Sequence, residues 1–156
     1  MLMTPVLPNA SPIHSRCATV IDKAGAVDAV IVDGMNVIGS RPDGWWRDRD
    51  GAVRRLVARL QAHWQSTDDD VAVVLDGRPL DDLREGIHEG VEVMYARRAG
   101  RNAADDRIVE LVRARVTSDD TRLTVVTSDQ ELSWRVRELG AEVIGARTFL
   151  ARLDEA

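Results

Sequence analysis

The chain has 156 residues, 44% hydrophobic and 30% charged, with a formal net charge of −5, which suits one domain with a real core. The acidic balance excludes a generally basic nucleic-acid binder but not a local basic patch. No apolar stretch nears the ~20 residues that span a bilayer, no secretory pattern opens the chain, and one cysteine, Cys17, excludes an internal disulfide or cysteine zinc site. A cytoplasmic protein without membrane contact is expected.

Residues 1–26 mix Pro5, Pro8 and Pro12 with Asn9, Ser11 and Gly25 and show no periodicity, so they read as a flexible leader. Residues 27–156 then form a single domain. Ala29-Val30-Ile31-Val32 runs into Asp33-Gly34-Met35-Asn36, the pattern of a strand buried on both faces that ends in a carboxylate. Gly34 is expected to relieve a turn. A polar loop from Gly39 to Gly51 follows, carrying Arg41, Trp45, Trp46, Arg47 and Arg49. Val53, Leu56, Val57, Leu60 and Trp64 make one apolar helical stripe.

Val71 to Gly77 repeats the apolar-run, Asp, Gly pattern and delivers Asp76. Pro79 to Gly90 reads as a short irregular or helical crossover and Val91 to Tyr95 as a short strand, followed by Arg97, Arg98 and Arg101. Asn102 to Val116 is a helix with Asp105 and Asp106 in its first turn. Leu123 to Asp129 is the third strand to end in a carboxylate. A helix from Gln130 stops at Gly140, a natural C′ glycine, before a short strand at Glu142 to Ile144 and a helical turn at Thr148 to Leu153. Alternating strands and helices predict a three-layer α/β/α sandwich around a parallel sheet of four or five strands.

In such sheets ligands bind beyond the carboxyl ends of the strands. Asp33, Asp105 or Asp106, Asp129 and Asp76 would all gather there. Clustered carboxylates repel one another unless a cation neutralises them, and Mg2+ or Mn2+ favours oxygen-only sites. Capping competes as an explanation: Ser128 with Glu131 fits a capping box, Asn102 can cap the preceding helix, and acids suit a first turn. Asp33 and Asp76 precede loops, which capping does not cover.

The loops around these acids are basic, with Arg41, Arg47 and Arg49 on one side and Arg97, Arg98 and Arg101 on the other. A polyanion whose scissile phosphate meets metal ions would suit that arrangement. Trp45 and Trp46 either stack on bases or cover the core edge. Lys23 is the only lysine, so a Gly-Lys-Ser/Thr phosphate loop and a receiver domain are both excluded. A haloacid-dehalogenase phosphatase wants a second Asp at position 35, which is Met35.

Asp33-Gly34-Met35-Asn36-Val37-Ile38, Asp76-Gly77, Ala104-Asp105-Asp106-Arg107-Ile108 and Thr127-Ser128-Asp129 together resemble the NYN domain, in its YacP-like branch. The likeness covers roughly residues 28 to 152 and implies a PIN-like fold and metal-dependent endoribonuclease activity with Mg2+ or Mn2+. It implies Asp33, Asp105 and Asp129 as metal ligands or water-orienting acids, with Asn36 as the amide that steadies the site. Thr127 and Ser128 match the hydroxyl positions beside the last acid, and Asp76 matches a position that is often structural. Two departures stand out. Met35 replaces the usual aromatic, and Asn102-Ala103 replaces a Glu-Thr pair of some relatives, leaving Asp106 to compensate. The implied partner is RNA, free or on the ribosome, bound by a monomer or weak homodimer. The alternative is a catalytically weak RNA- or ribosome-binding module of the same fold.

Overall fold

The computed structural model describes residues 27–67, 69–100, 102–116 and 121–155. The expected leader and Arg101 lie outside the described residues. In chain order the elements are β1 (Val27–Asp33), α1 (Gly34–Gly39), a 3-10 turn (Trp45–Arg47), α2 (Arg49–Thr67), β2 (Asp70–Leu75), β3 (Gly86–His88), β4 (Val91–Tyr95), α3 (Ala103–Arg115), β5 (Thr121–Val126), α4 (Gln130–Glu138), β6 (Glu142–Ile144) and α5 (Ala146–Glu155).

The strands form one sheet in the order β3-β4-β2-β1-β5-β6. β1 lies between β2 and β5, parallel to both, and β4 and β6 extend the parallel set. The α/β/α sandwich with a mostly parallel sheet is therefore as expected, but the sheet has six strands. The addition is β3, which pairs antiparallel with β4 as His88 faces Val91. The crossover read as irregular or helical hides a hairpin whose two turn residues, Glu89 (φ 47°) and Gly90 (φ 90°), both take positive φ. That is the backbone of a tight hairpin turn, built here from Glu-Gly rather than the usual Asn-Gly. A Cβ on Gly90 would also lie 2.3 Å from the Trp64 ring.

Side-chain alternation along the strands divides the core in two. Val32, Val73, Leu75, Val93 and Val126 face α1, α2 and α5 through Val37, Leu56, Leu60 and Phe149. Ala29, Ile31, Val74 and Val125 face α3 and α4 through Ile108, Val112, Leu132 and Val136. Ile31, Leu60, Ile108 and Leu132 are fully buried, and each contributes roughly 1.5–3 kcal/mol on leaving water. This packing fixes the carboxyl ends of β1 and β5 side by side at the point where the chain turns from one half of the sheet to the other. Crevices form at such switch points.

Candidate active site

Parity along β1 places Asp33 on the same sheet face as Ala29 and Ile31, towards α3 and α4. Parity along β5 sends Thr127 to that face with Leu123 and Val125. Val32 pairs with Val126, so the next residue on each strand also stands side by side. Thr127 Oγ1 donates to Asp33 Oδ2 at 2.9 Å and accepts from the backbone N–H of Asp129 at 3.1 Å. Asp33 is only 6% exposed.

A helix, rather than the expected loop, follows Asp33. Asp33 occupies the N-cap position of α1 yet makes no side-chain cap bond. Gly34 also serves a different purpose from the one expected. A Cβ there would lie 2.5 Å from Leu75 Cδ2 and 3.0 Å from the Val74 carbonyl, so glycine lets α1 start hard against β2. The helix presents Asn36, whose Oδ1 accepts from the Ser128 N–H at 2.8 Å and ties α1 to the turn after β5.

That turn is held three ways. Asp129, not Ser128, caps α4, its Oδ1 accepting from the Leu132 N–H at 2.9 Å. Ser128 Oγ accepts instead from the Ala146 N–H at 2.9 Å, the first residue of α5. Ser133 Oγ donates back to the Asp129 carbonyl at 2.7 Å. Asn102 stands at the N-cap of α3 without a side-chain cap bond, which leaves Asp105 and Asp106 in an uncapped first turn.

The electrostatics join three of the expected acids. Burial pushes the Asp33 carboxyl up to about 7. The Thr127 hydroxyl and the Asn36 backbone N–H oppose that rise, and the charges of Asp105 and Asp129 add to it. Burial, then the charge of Asp129, raises Asp105 to about 6 against the pull of Arg135. Asp33, Asp105 and Asp129 thus share one electrostatic neighbourhood.

Asp106 and Asp76 are engaged elsewhere. Arg98 donates to Asp106 Oδ2 and Arg135 to Asp106 Oδ1, the latter at 3.2 Å, and these bonds hold its carboxyl below the usual range. Arg49 grips Asp76 by its carboxylate at 2.9 Å and its carbonyl at 2.7 Å. Among the described residues, no group of three or more His, Cys, Asp or Glu side chains could by itself hold a metal ion.

The basic rim is largely paired with acid. Arg41 bonds Asp154 at 2.7 Å, Arg97 meets Glu110 at 3.5 Å, and Arg47 sits 5.9 Å from the centroid of the Trp46 ring. Trp45 packs against the core, whereas Trp46 is 56% exposed. Trp45 therefore covers the core edge, and Trp46 does not. A cleft of about 360 Å³ opens beside α1, lined by Met35, Asn36, Gly39, Ser40, Ser128 and Arg147.

Two neighbours of the acids were given no role from the sequence. Arg135 lies 29 positions from Asp106 and reads locally as a helix-surface charge. Arg107 is buried and donates to the Tyr95 carbonyl at 2.8 Å, anchoring the start of α3 to the end of β4.

Residues 30–156 match the YacP-like NYN domain. The chain belongs to that family. Crystal structures of Rae1 (YacP) from Bacillus subtilis share its fold. One superposes with a TM-score of 0.68 at 27% identity, over 83% of this chain and 75% of that one. A tryptophan-to-leucine mutant of the same protein gives 0.69 at 26%, over 83% and 76%. No curated protein sequence matches. An NYN domain has a nuclease-type fold, and in this member Asp33 ends β1, Asp129 follows β5, and Asp105 stands in the first turn of α3. No helix among the described residues is long and apolar enough to cross a membrane.

Proposed function

We propose that this NYN domain is a metal-dependent endoribonuclease that hydrolyses RNA phosphodiester bonds at Asp33, Asp105 and Asp129. The observation that carries this reading is a buried carboxylate, Asp33, anchored by the Thr127 hydroxyl and loaded by the charges of Asp105 and Asp129, with Asp105 itself loaded by Asp129. Perturbed carboxylates of this kind cluster at functional sites.

The donor set fits a hard divalent ion such as Mg2+ or Mn2+. The donors are oxygens, and they repel one another without a cation. A closed cage is not needed, since Mg2+ is commonly held by one or two carboxylates, waters and substrate phosphate. Bound there, the ion would supply a polarised phosphoryl oxygen and an acidified water.

The protein's own residues do the positioning. Thr127 fixes Asp33 Oδ2, and the Leu132 N–H fixes Asp129 Oδ1. Asn36 keeps α1 and the Thr127–Asp129 turn in register. Asp106 acts as a holder rather than a ligand, keeping Arg98 and Arg135 beside Asp105, where a passing phosphate can take them over. Exposed ion pairs contribute little, so Arg41, Arg49, Arg97 and Arg98 can exchange acid partners for phosphates at small cost, and Arg47, which lies over the Trp46 ring, joins them. The exposed Trp46 completes the proposed RNA surface, and Arg101, outside the described residues, is proposed from the sequence to add a phosphate contact, in a cytoplasmic monomer or weak homodimer.

The test is cleavage of an end-labelled RNA by the purified protein with Mn2+, with Mg2+ and with chelator. Internal cleavage that depends on the ion supports the proposal. RNA binding without cleavage under every condition would favour the binding-module alternative, the reading to which the lack of a three-ligand cluster among the described residues lends weight.

A further inference from the structure

Trp134 is 64% exposed on α4. The core contacts of that helix come from Leu132 and Val136, so packing does not require an indole at this position. A single exposed apolar side chain needs no explanation by itself; what sets this one apart is that it is an aromatic face on the wall of a cleft. Trp134 shares a cleft of about 550 Å³ with Thr127, Gln130, Ser133, Arg137 and Val143.

We propose that this cleft receives the base of the nucleotide next to the scissile phosphate, stacked on Trp134, and thereby selects single-stranded RNA. The inference rests on the ribonuclease reading and assigns its substrate class. Three features favour that occupant. The cleft reaches Thr127, the residue whose hydroxyl is bonded to Asp33. Trp134 shares a helix face with Gln130 and Arg137, and Gln130 directly follows Asp129, so the cleft runs up to the end of α4 that carries this acid. The lining also has the right chemistry. It offers an aromatic face, the Gln130 amide and Arg137, which makes no ion pair among the described residues, and no carboxylate lines it.

Aromatic faces stack on any base, and Arg adds phosphate attraction. A base within an A-form duplex remains stacked and paired and cannot enter such a cleft, whereas unpaired bases can be splayed onto a side chain. Trp134 is thus placed to discriminate strandedness rather than sequence.

The experiment uses the full chain with Asp33→Asn, so that binding of a short labelled RNA is read without cleavage. Trp134→Leu in that background should weaken single-strand binding roughly tenfold or more, with Trp134→Phe recovering most of the loss. Arg137→Gln should lower affinity and flatten its salt dependence. An abasic nucleotide beside the cleavage position should weaken binding to the Trp134 protein but make no further difference to Trp134→Leu. In the otherwise native chain, Trp134→Leu should raise KM for single-stranded RNA far more than it lowers kcat.

Equal affinities of the Trp134 and Trp134→Leu proteins, with or without the abasic site, would overturn the proposal. So would a homodimer in sedimentation that Trp134→Leu dissociates while RNA affinity stays constant, because a second copy would then be the occupant. Failure of the native chain to cleave any RNA would count against the ribonuclease reading, while the affinities of the Trp134 and Trp134→Leu proteins for a short single strand would still decide the cleft.

Discussion

Thr127 donates its hydroxyl proton to the Asp33 carboxylate across the seam between β5 and β1, at 2.9 Å. The bond joins the two strand ends on which the candidate site is built, and the same hydroxyl accepts the Asp129 N–H. One small side chain thereby fixes the relative placement of two of the three acids. Thr127→Val keeps the shape but removes both bonds. It should cost about 1–3 kcal/mol of stability, the range for losing a buried hydrogen bond to a charged group. The loss should be larger at pH 8, where Asp33 is ionised, than at pH 5, and urea unfolding at the two pH values checks it.

The raised carboxyls of Asp33 and Asp105 set the pH dependence of the metal-free protein. Folding favours their protonated forms, so this contribution to stability is fully present below the ordinary carboxyl value of 3.8 and is lost as pH rises through about 6 and 7. Asp33 alone accounts for up to roughly 4 kcal/mol across that window. Stability in chelator should therefore fall between pH 4 and pH 7.5, and Asp33→Asn should flatten the fall. Mn2+ should restore part of it at pH 7.5, since an ion that binds only the folded state stabilises that state. Denaturation curves at fixed ionic strength provide the check.

Arg98 and Arg135 converge on Asp106. If phosphate replaces that acid, removing both guanidinium groups should weaken single-stranded RNA binding and lower its salt slope by about 0.7 per lost contact. Arg98→Gln with Arg135→Gln should also leave Asp105 harder to ionise, because Arg135 pulls its carboxyl down. Binding titrations across a series of salt concentrations would show the reduced slope, and an unchanged slope would leave the two arginines as supports for Asp106 alone.

Much of this was readable in the chain because apolar runs ending in Asp are a local signal. The runs before Asp33, Asp76 and Asp129 became β1, β2 and β5, and the parity of β1 and β5 alone brings Asp33 and Thr127 to one face. What escaped depends on contacts distant in sequence. β3 hid because its turn is Glu89-Gly90, a pair with little intrinsic preference for a hairpin. Ser128 reads as a better cap than Asp129 until Ala146, 18 residues on, claims its hydroxyl. Asp76 matches the strand-end pattern as well as Asp33 does, and only Arg49, folding back from the start of α2, sets it apart. Arg107 sits one helical turn into α3 with nothing local to mark it as buried.

The most direct test of the central claim is the rate of RNA cleavage by Asp33→Asn beside the native chain, in Mn2+ and in chelator, with melting temperature measured on the same samples. Asn keeps the size of the side chain and can still accept the Thr127 hydroxyl, so the fold should survive. Removing a strained buried carboxylate should leave the melting temperature in chelator unchanged or higher. The account predicts metal-dependent cleavage by the native chain and a loss of at least about a hundredfold in the variant, the scale seen when a single electrostatic element of an active site is removed. Cleavage by Asp33→Asn at the native rate, in a protein that melts normally, would contradict it.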